Sequence, residues 1–202
     1  MKNSRVQKMV VVSMFAAIGL VLQFIAVPIM PAFDFLKIDF SDIPIMISMF
    51  LFGPMAGIAT AVIRSVLHLL LTGFSPANMV GDVASIFASV LFTLPMYYFF
   101  NKGSHKMRNK VIGTVSGILT LTIFMSVANY FVITPLYLFF FGMNTTQFLG
   151  MPMINYVLIG IVPFNLIKGS IVSVVFLVLH AKLLPWLAKK QHQFEQPTTI
   201  TK

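Results

Sequence analysis

Apolar residues run almost unbroken through six stretches of the chain, separated by short polar or proline-bearing segments. The stretches cover about Met9–Ile29, Pro44–Phe52, Pro54–Leu71, Asn78–Phe100, Val111–Pro135 and Met153–Leu184. A run of roughly 18 apolar residues is long enough to cross a bilayer as a helix. Inside hydrocarbon the backbone must satisfy its own hydrogen bonds, which leaves helices or closed barrels. Continuous apolar runs, without strand-like alternation, select the helix. The pattern therefore predicts an all-α, polytopic membrane protein of six transmembrane helices. Residues 1–190 are expected to form one six-helix transmembrane domain, and the polar tail 191–202 is expected to be disordered.

Punctuation sets the expected boundaries. Pro28 and Pro31 end the first span, which is too long for a signal-peptide core and reads as a retained helix. Ser41 or Asp42 is positioned to N-cap the second helix, with Pro44 in its first turn. Gly53-Pro54 leaves almost no loop, so the second and third helices are expected to form a tight hairpin. Pro135 is expected to end the fifth span, and Leu136–Pro152 to be an aromatic outer loop. Pro163 is expected to kink the sixth.

Composition agrees with this picture and adds orientation. Only 9% of residues are charged against 58% hydrophobic, which leaves no polar surplus for a second, soluble domain. The net charge is +9. The basic residues gather before the first span (Lys2, Arg5, Lys8), in the loop Asn101–Lys110, and after the last span. That is the segregation of the positive-inside rule, not a nucleic-acid-binding face. It predicts cytoplasmic N- and C-termini in the plasma membrane, with loops Pro31–Asp42, Thr72–Asn78 and Leu136–Pro152 outside. The chain has no cysteine, so disulfides and thiolate metal sites are excluded.

Ionisable groups inside spans are costly and point to function. Arg64, His68, Asp82 and Lys168 qualify, with the amides Asn129 and Asn165. At about 1.5 Å per residue, Asp82 lies about 6 Å and Asn129 about 9 Å below the outer helix ends. Asn165 and Lys168, three apart, share a face. The grouping suggests a cavity open outward and closed toward the cytoplasm. A structural reading stands beside it. Arg64 and Asp82 suit an interhelical ion pair, Asn129 suits interhelical glue, and His68 suits a satisfied interior site. Lys168 is harder to absorb that way, because the only acids are Asp34, Asp39, Asp42, Asp82 and Glu195. Lys and Asn together offer many donors, suited to a planar, acceptor-rich small molecule. Phe33, Phe35 and Phe40 are placed to close over it, or else to anchor the loop at the interface.

No enzyme signature accompanies these residues. HExxH, GxSxG and Walker A runs are absent, and the four histidines lie at no metal-ligand spacing. The chain is expected to be no enzyme and to need no cofactor, and active transport would take its energy from an ion gradient or from partners. Ser13 and Ala17 have the small-xxx-small spacing that lets helices approach closely, as do Gly53 with Gly57 and Gly113 with Gly117.

Four stretches carry a resemblance: LKIDFSDIP (Leu36–Pro44), FLFGPMAG (Phe50–Gly57), NYFVITPLY (Asn129–Tyr137) and PFNLIKG (Pro163–Gly169). The chain resembles the S-components of energy-coupling factor (ECF) vitamin transporters over about residues 5–190, and the last two stretches resemble the riboflavin-specific type. The resemblance implies high-affinity riboflavin binding near the outer face, under the loop Pro31–Asp42. It implies Asn129, Asn165 and Lys168 as hydrogen-bonding residues, with Asp39, Phe40, Met79 and Gly81 bordering the pocket. It implies transport only with a transmembrane coupling protein and two cytoplasmic ATPases, docked through Ser13 and Ala17, where Ser stands in place of the usual Ala. The alternatives are an S-component for a different vitamin, an ion-coupled secondary transporter, or a membrane scaffold. No inverted repeat supports the transporter, and the buried Lys168 speaks against the scaffold.

Overall fold

The computed structural model describes residues 2–102 and 107–195, with side chains from 5 to 102 and from 107 to 182. Helix α1 (Lys2–Phe24) leads into a loop clipped by a two-residue antiparallel ladder, β1 (Val27–Pro28) on β2 (Lys37–Ile38). Then come α2 (Asp42–Phe52), α3 (Pro54–Thr72), α4 (Pro76–Asn101) and α5 (Met107–Ala128). A π-helical turn, Asn129–Ile133, joins α5 to α6 (Thr134–Phe141) without a break. After α7 (Thr145–Leu149), α8 (Met153–Tyr156) passes through a second π turn, Val157–Ile161, into α9 (Val162–Glu195).

Among the described residues, five helical runs are long and apolar enough to cross a bilayer. The sixth apolar helix, α2, has 11 residues and is about 16 Å long at the usual rise, half the hydrocarbon thickness. Its sequence explains its place. It is apolar on every face, and such a helix must be surrounded. Residues 42–49 are buried without interruption. Gly53 takes φ 93°, a conformation closed to most side chains, and turns the chain directly into α3. Thr60 on α3 donates to Ser48 on α2 at 2.8 Å, so the expected tight hairpin forms.

One expectation about proline is corrected. Pro135 does not end the fifth span, which runs on to Phe141, so Leu136–Phe141 of the expected loop Leu136–Pro152 continues the span and Thr145–Leu149 is a further helix. Pro163 lies in a continuous helix as well. Each proline follows a π turn by two residues, Ile133 before Pro135 and Ile161 before Pro163. The wider turn takes up the missing N–H and the steric conflict that would break a regular α-helix. At its other end α9 runs to Glu195. Residues 196–202 of the expected tail lie outside the described residues.

Two apolar clusters hold the bundle. One, the inner cluster, joins α2, α4, α5 and α9 through Met46, Phe92, Phe100, Leu121, Val172 and Phe176. The other packs the loop onto α7–α9 through Phe33, Leu36, Ile38, Leu149, Tyr156 and Phe164. Between them lies the polar layer.

Candidate functional site

The polar layer is assembled from four elements and the loop. Lys168 on α9 reaches Asp39 in the loop at 3.3 Å and Asp42 at the start of α2 at 3.6 Å. Asp42 accepts a short hydrogen bond from Ser89 of α4. Asp39 accepts one from its neighbour's backbone, Ser41 N–H, at 2.8 Å. Burial alone would raise the Asp39 carboxyl. The Lys168 ammonium and the Ser41 hydrogen bonds outweigh burial and hold it below the ordinary carboxylate range. Two of the five acids thus converge on Lys168, as charges inside a membrane protein must find partners.

The N-cap expectation is corrected here. Ser41 occupies the cap position of α2 in helical geometry and makes no side-chain cap bond. Its hydroxyl instead accepts from Arg64 Nη1. Asp42 is the first residue of the helix, and its carboxylate is taken up by Ser89 and Lys168. The expected Arg64–Asp82 pair does not form either. Asp82 pairs with His68 Nδ1 at 2.8 Å, one turn closer to the end of α3, while Arg64 bonds serine hydroxyls. Helical spacing explains the change: Arg64 and His68 are four apart on one face, and Asp82, near the start of α4, lies level with the later of the two.

A cavity of about 500 Å³ opens against this layer. Lys168, Asn165, Asn129, Gly81, Ser85 and Ser89 contribute the polar and small positions of its wall. Its volume is that of a site for a small organic ligand. Asn129 and Asn165 share one device. Each amide donates to the carbonyl four residues back, Met125 and Ile161, at 2.8 Å. Each sits at a π turn, Asn129 opening the first and Asn165 bonding the last residue of the second. The donation fixes each amide and leaves its second N–H for other partners; the Asn129 oxygen also accepts from Thr134 Oγ1 at 3.4 Å.

Aromatic rings form the remaining wall. Tyr137 stacks on Phe141, Phe141 on Phe148, and Phe148 on Phe35, with centroids 5.8–6.1 Å apart. The chain of rings joins α6, α7 and the loop over the cavity mouth. Gly81 is small because Tyr137 needs the space: a Cβ there would lie 2.8 Å from the phenol oxygen.

The sequence-predicted residues fall in four places. Gly81, Asn129, Asn165 and Lys168 lie on the cavity, and Asp39 meets it through Lys168. Phe40 packs against the inner apolar cluster instead. Met79 faces a separate, wholly apolar groove between α4 and α5, with Val83, Phe87 and Phe124. Ser13 and Ala17 are exposed on the outer face of α1. Of the three loop phenylalanines, Phe35 lines the cavity and Phe33 is buried against Tyr156. Sequence reading missed Ser85, Ser89, Tyr137 and Phe148. The four-residue spacing of Gly81, Ser85 and Ser89, small or polar on one face of an apolar helix, was the available signal for the serines.

Comparison with known proteins agrees with this architecture. A family described as "ECF transporter, substrate-specific component" matches residues 7–180. The riboflavin transporter FmnP of Bacillus subtilis is 37% identical over 187 residues, 93% of this chain and 97% of that protein. The riboflavin transporter RibU of Streptococcus thermophilus is 35% identical over 189 residues, 94% of this chain and 87% of that protein. A solved S component of a bacterial ECF transporter superposes with a TM-score of 0.72 at 35% identity, covering 93% of this chain and 99% of that one. The membrane helices, the cavity under the first loop and these matches lead to one conclusion: the chain belongs to the substrate-specific components of ECF transporters, as a multi-pass protein of the plasma membrane.

Proposed function

We propose that this chain binds riboflavin in the cavity beneath the 25–41 loop and delivers it to the cell as the S-component of an ECF transporter. The observation that carries the reading is the composition of the cavity wall. Two fixed amides and a lysine face a ring of aromatic side chains, a surface suited to a flat heteroaromatic ring system with several hydrogen-bonding edges. Relatives named as riboflavin transporters, similar over nearly their whole length, support the choice of ligand. Asn129, Asn165 and Lys168 bind the ring edge or its polyol chain, Gly81 leaves room for Tyr137, and Asp39 holds Lys168 in place.

Transport requires partners in this reading. The chain has no nucleotide-binding run, and its exposed Ser13–Ala17 face on α1 offers a close-packing surface to a transmembrane coupling protein, which two cytoplasmic ATPases drive. The termini and the 101–107 connection face the cytoplasm.

Titration of the purified chain with riboflavin tests the reading. Flavin fluorescence should be quenched to one equivalent per chain. Lys168→Ala should weaken binding by at least about tenfold, the size of one lost charge-assisted hydrogen bond, with expression unchanged. Vesicles holding only this chain should bind riboflavin and fail to accumulate it. Wild-type protein that leaves flavin fluorescence untouched would remove the ligand assignment, and accumulation by the chain alone would favour a secondary transporter.

A further inference from the structure

Arg64 is the largest of the fully buried side chains, at 1% exposure. Among the described residues no carboxylate lies within ion-pair distance of it. It does not line the cavity. A buried guanidinium without a paired acid is expensive in a membrane protein, so its contacts have to account for it.

Those contacts run in two directions. Nη1 donates to the Ser41 hydroxyl, at the hinge between the loop and α2. Nη2 donates to Ser85 Oγ at 2.6 Å, on the α4 wall of the cavity, and more weakly to Ser65 at 3.5 Å. Ser41, 1% exposed and also off the cavity, gives its backbone N–H to Asp39. Asp39 holds Lys168. Arg64 is thus two residues removed from the lysine that faces the ligand, and the planar fork of the guanidinium spans the loop and α4 at once. Helix α1 makes room for it. A Cβ at Gly19 would meet Arg64 Cδ at 3.4 Å and Ser41 O at 3.5 Å, so a large residue there would crowd both.

We propose that Arg64 is a positioning residue for ligand binding: through Ser41 it fixes the loop end that carries Asp39, and through Asp39 it sets where Lys168 presents its ammonium to the cavity. The proposal rests on the assignment of the cavity as a ligand site. Arg64 touches no ligand, so its effect is on how long ligand stays and on how well the loop is held, while each folded chain keeps one site.

The test uses the full chain in nanodiscs with two independent readouts. The first is riboflavin dissociation, followed by flavin fluorescence after dilution, together with binding stoichiometry. Arg64→Gln is expected to speed dissociation about tenfold at unchanged stoichiometry, the loss of one hydrogen bond to a charged group. Ser41→Ala leaves the charge and the Asp39 amide bond in place and is expected to act in the same direction. The double variant should be no faster than Arg64→Gln alone, because both substitutions break one link. Arg64→Lys keeps the charge and loses the fork, and should fall between wild type and Arg64→Gln. The second readout needs no ligand: amide exchange over residues 37–43 should quicken about tenfold in Arg64→Gln and Ser41→Ala, with exchange in α5 unchanged. If Arg64→Gln does not yield folded protein, Ser41→Ala carries both measurements.

Dissociation and loop exchange both at wild-type rates in Ser41→Ala, or additive effects in the double variant, would overturn the positioning role. A drop in stoichiometry with unchanged dissociation would overturn it too, in favour of a purely structural arginine. Failure of the wild type to bind riboflavin would remove the ligand assignment, and the exchange measurement would still decide whether Arg64 holds the loop.

Discussion

Asp39 and Lys168 are 129 positions apart and meet at 3.3 Å, and the loop–helix contact depends on Asp39 being ionised. Its folded-state carboxyl lies below the ordinary value of 3.8, because Lys168 and Ser41 together overcome the opposing effect of burial. A depressed acid contributes stability above its unfolded value and loses it as pH falls through the folded value. The difference in Tm between wild type and Asp39→Asn should therefore be present and constant at neutral pH. It should shrink only below about pH 3.8. A difference that disappears between pH 7 and 5 would mean that another group governs the contact. Neighbouring residues show how context reassigns chemistry. Ser41 and Asp42 carry the signature of a helix cap, yet the first serves Arg64 and the second serves Ser89 and Lys168. A buried cation outbids a helix terminus for an oxygen, since the terminal N–H groups of α2 have other recourse and the guanidinium has little.

At the scale of elements, α4 and α5 pack through small residues of the Gly113–Gly117 pair, the template visible in the sequence. The two glycines are not equivalent. A Cβ at Gly117 would lie 2.6 Å from the Phe92 carbonyl oxygen, which is backbone and cannot turn away. A Cβ at Gly113 would meet the Phe100 ring at 2.8 Å, and a ring can shift. Gly117→Ala should cost about 1–3 kcal/mol as an overpacked contact. Gly113→Ala should cost less. Thermal unfolding of the two variants in the same detergent gives the comparison, and equal losses would contradict the backbone clash. The π turns belong to this scale as well. They carry the fifth and sixth spans past Pro135 and Pro163, and they occur where Asn129 and Asn165 are set into the cavity wall. A regular helix broken at either proline would release the amide from its place.

For the whole molecule, the proposed orientation follows from the gathering of lysine and arginine at the termini and in the connection between α4 and α5. The absence of native cysteine makes it directly testable. A cysteine at Phe74, exposed in the turn between α3 and α4, should react with an impermeant thiol reagent on intact cells. A cysteine at Lys102 should react only after permeabilisation. Labelling in the reverse sense would invert the molecule in the membrane and place the cavity mouth on the cytoplasmic side.

The apolar runs, the glycine–proline break and the segregation of lysine and arginine were enough to determine a helical membrane protein, its hairpin and the identity of several polar groups at its site. These are local or one-dimensional properties, because a bilayer penalises each exposed polar residue separately. Tertiary structure alone decided that α2 is a half-length core helix, that the prolines are bridged, that Met79 and Phe40 turn away from the cavity, and which partner each buried charge takes. Pairing is a competition among groups brought together from distant parts of the chain. Its outcome depends on helix register and on distances of a few ångströms, which no single stretch of residues encodes.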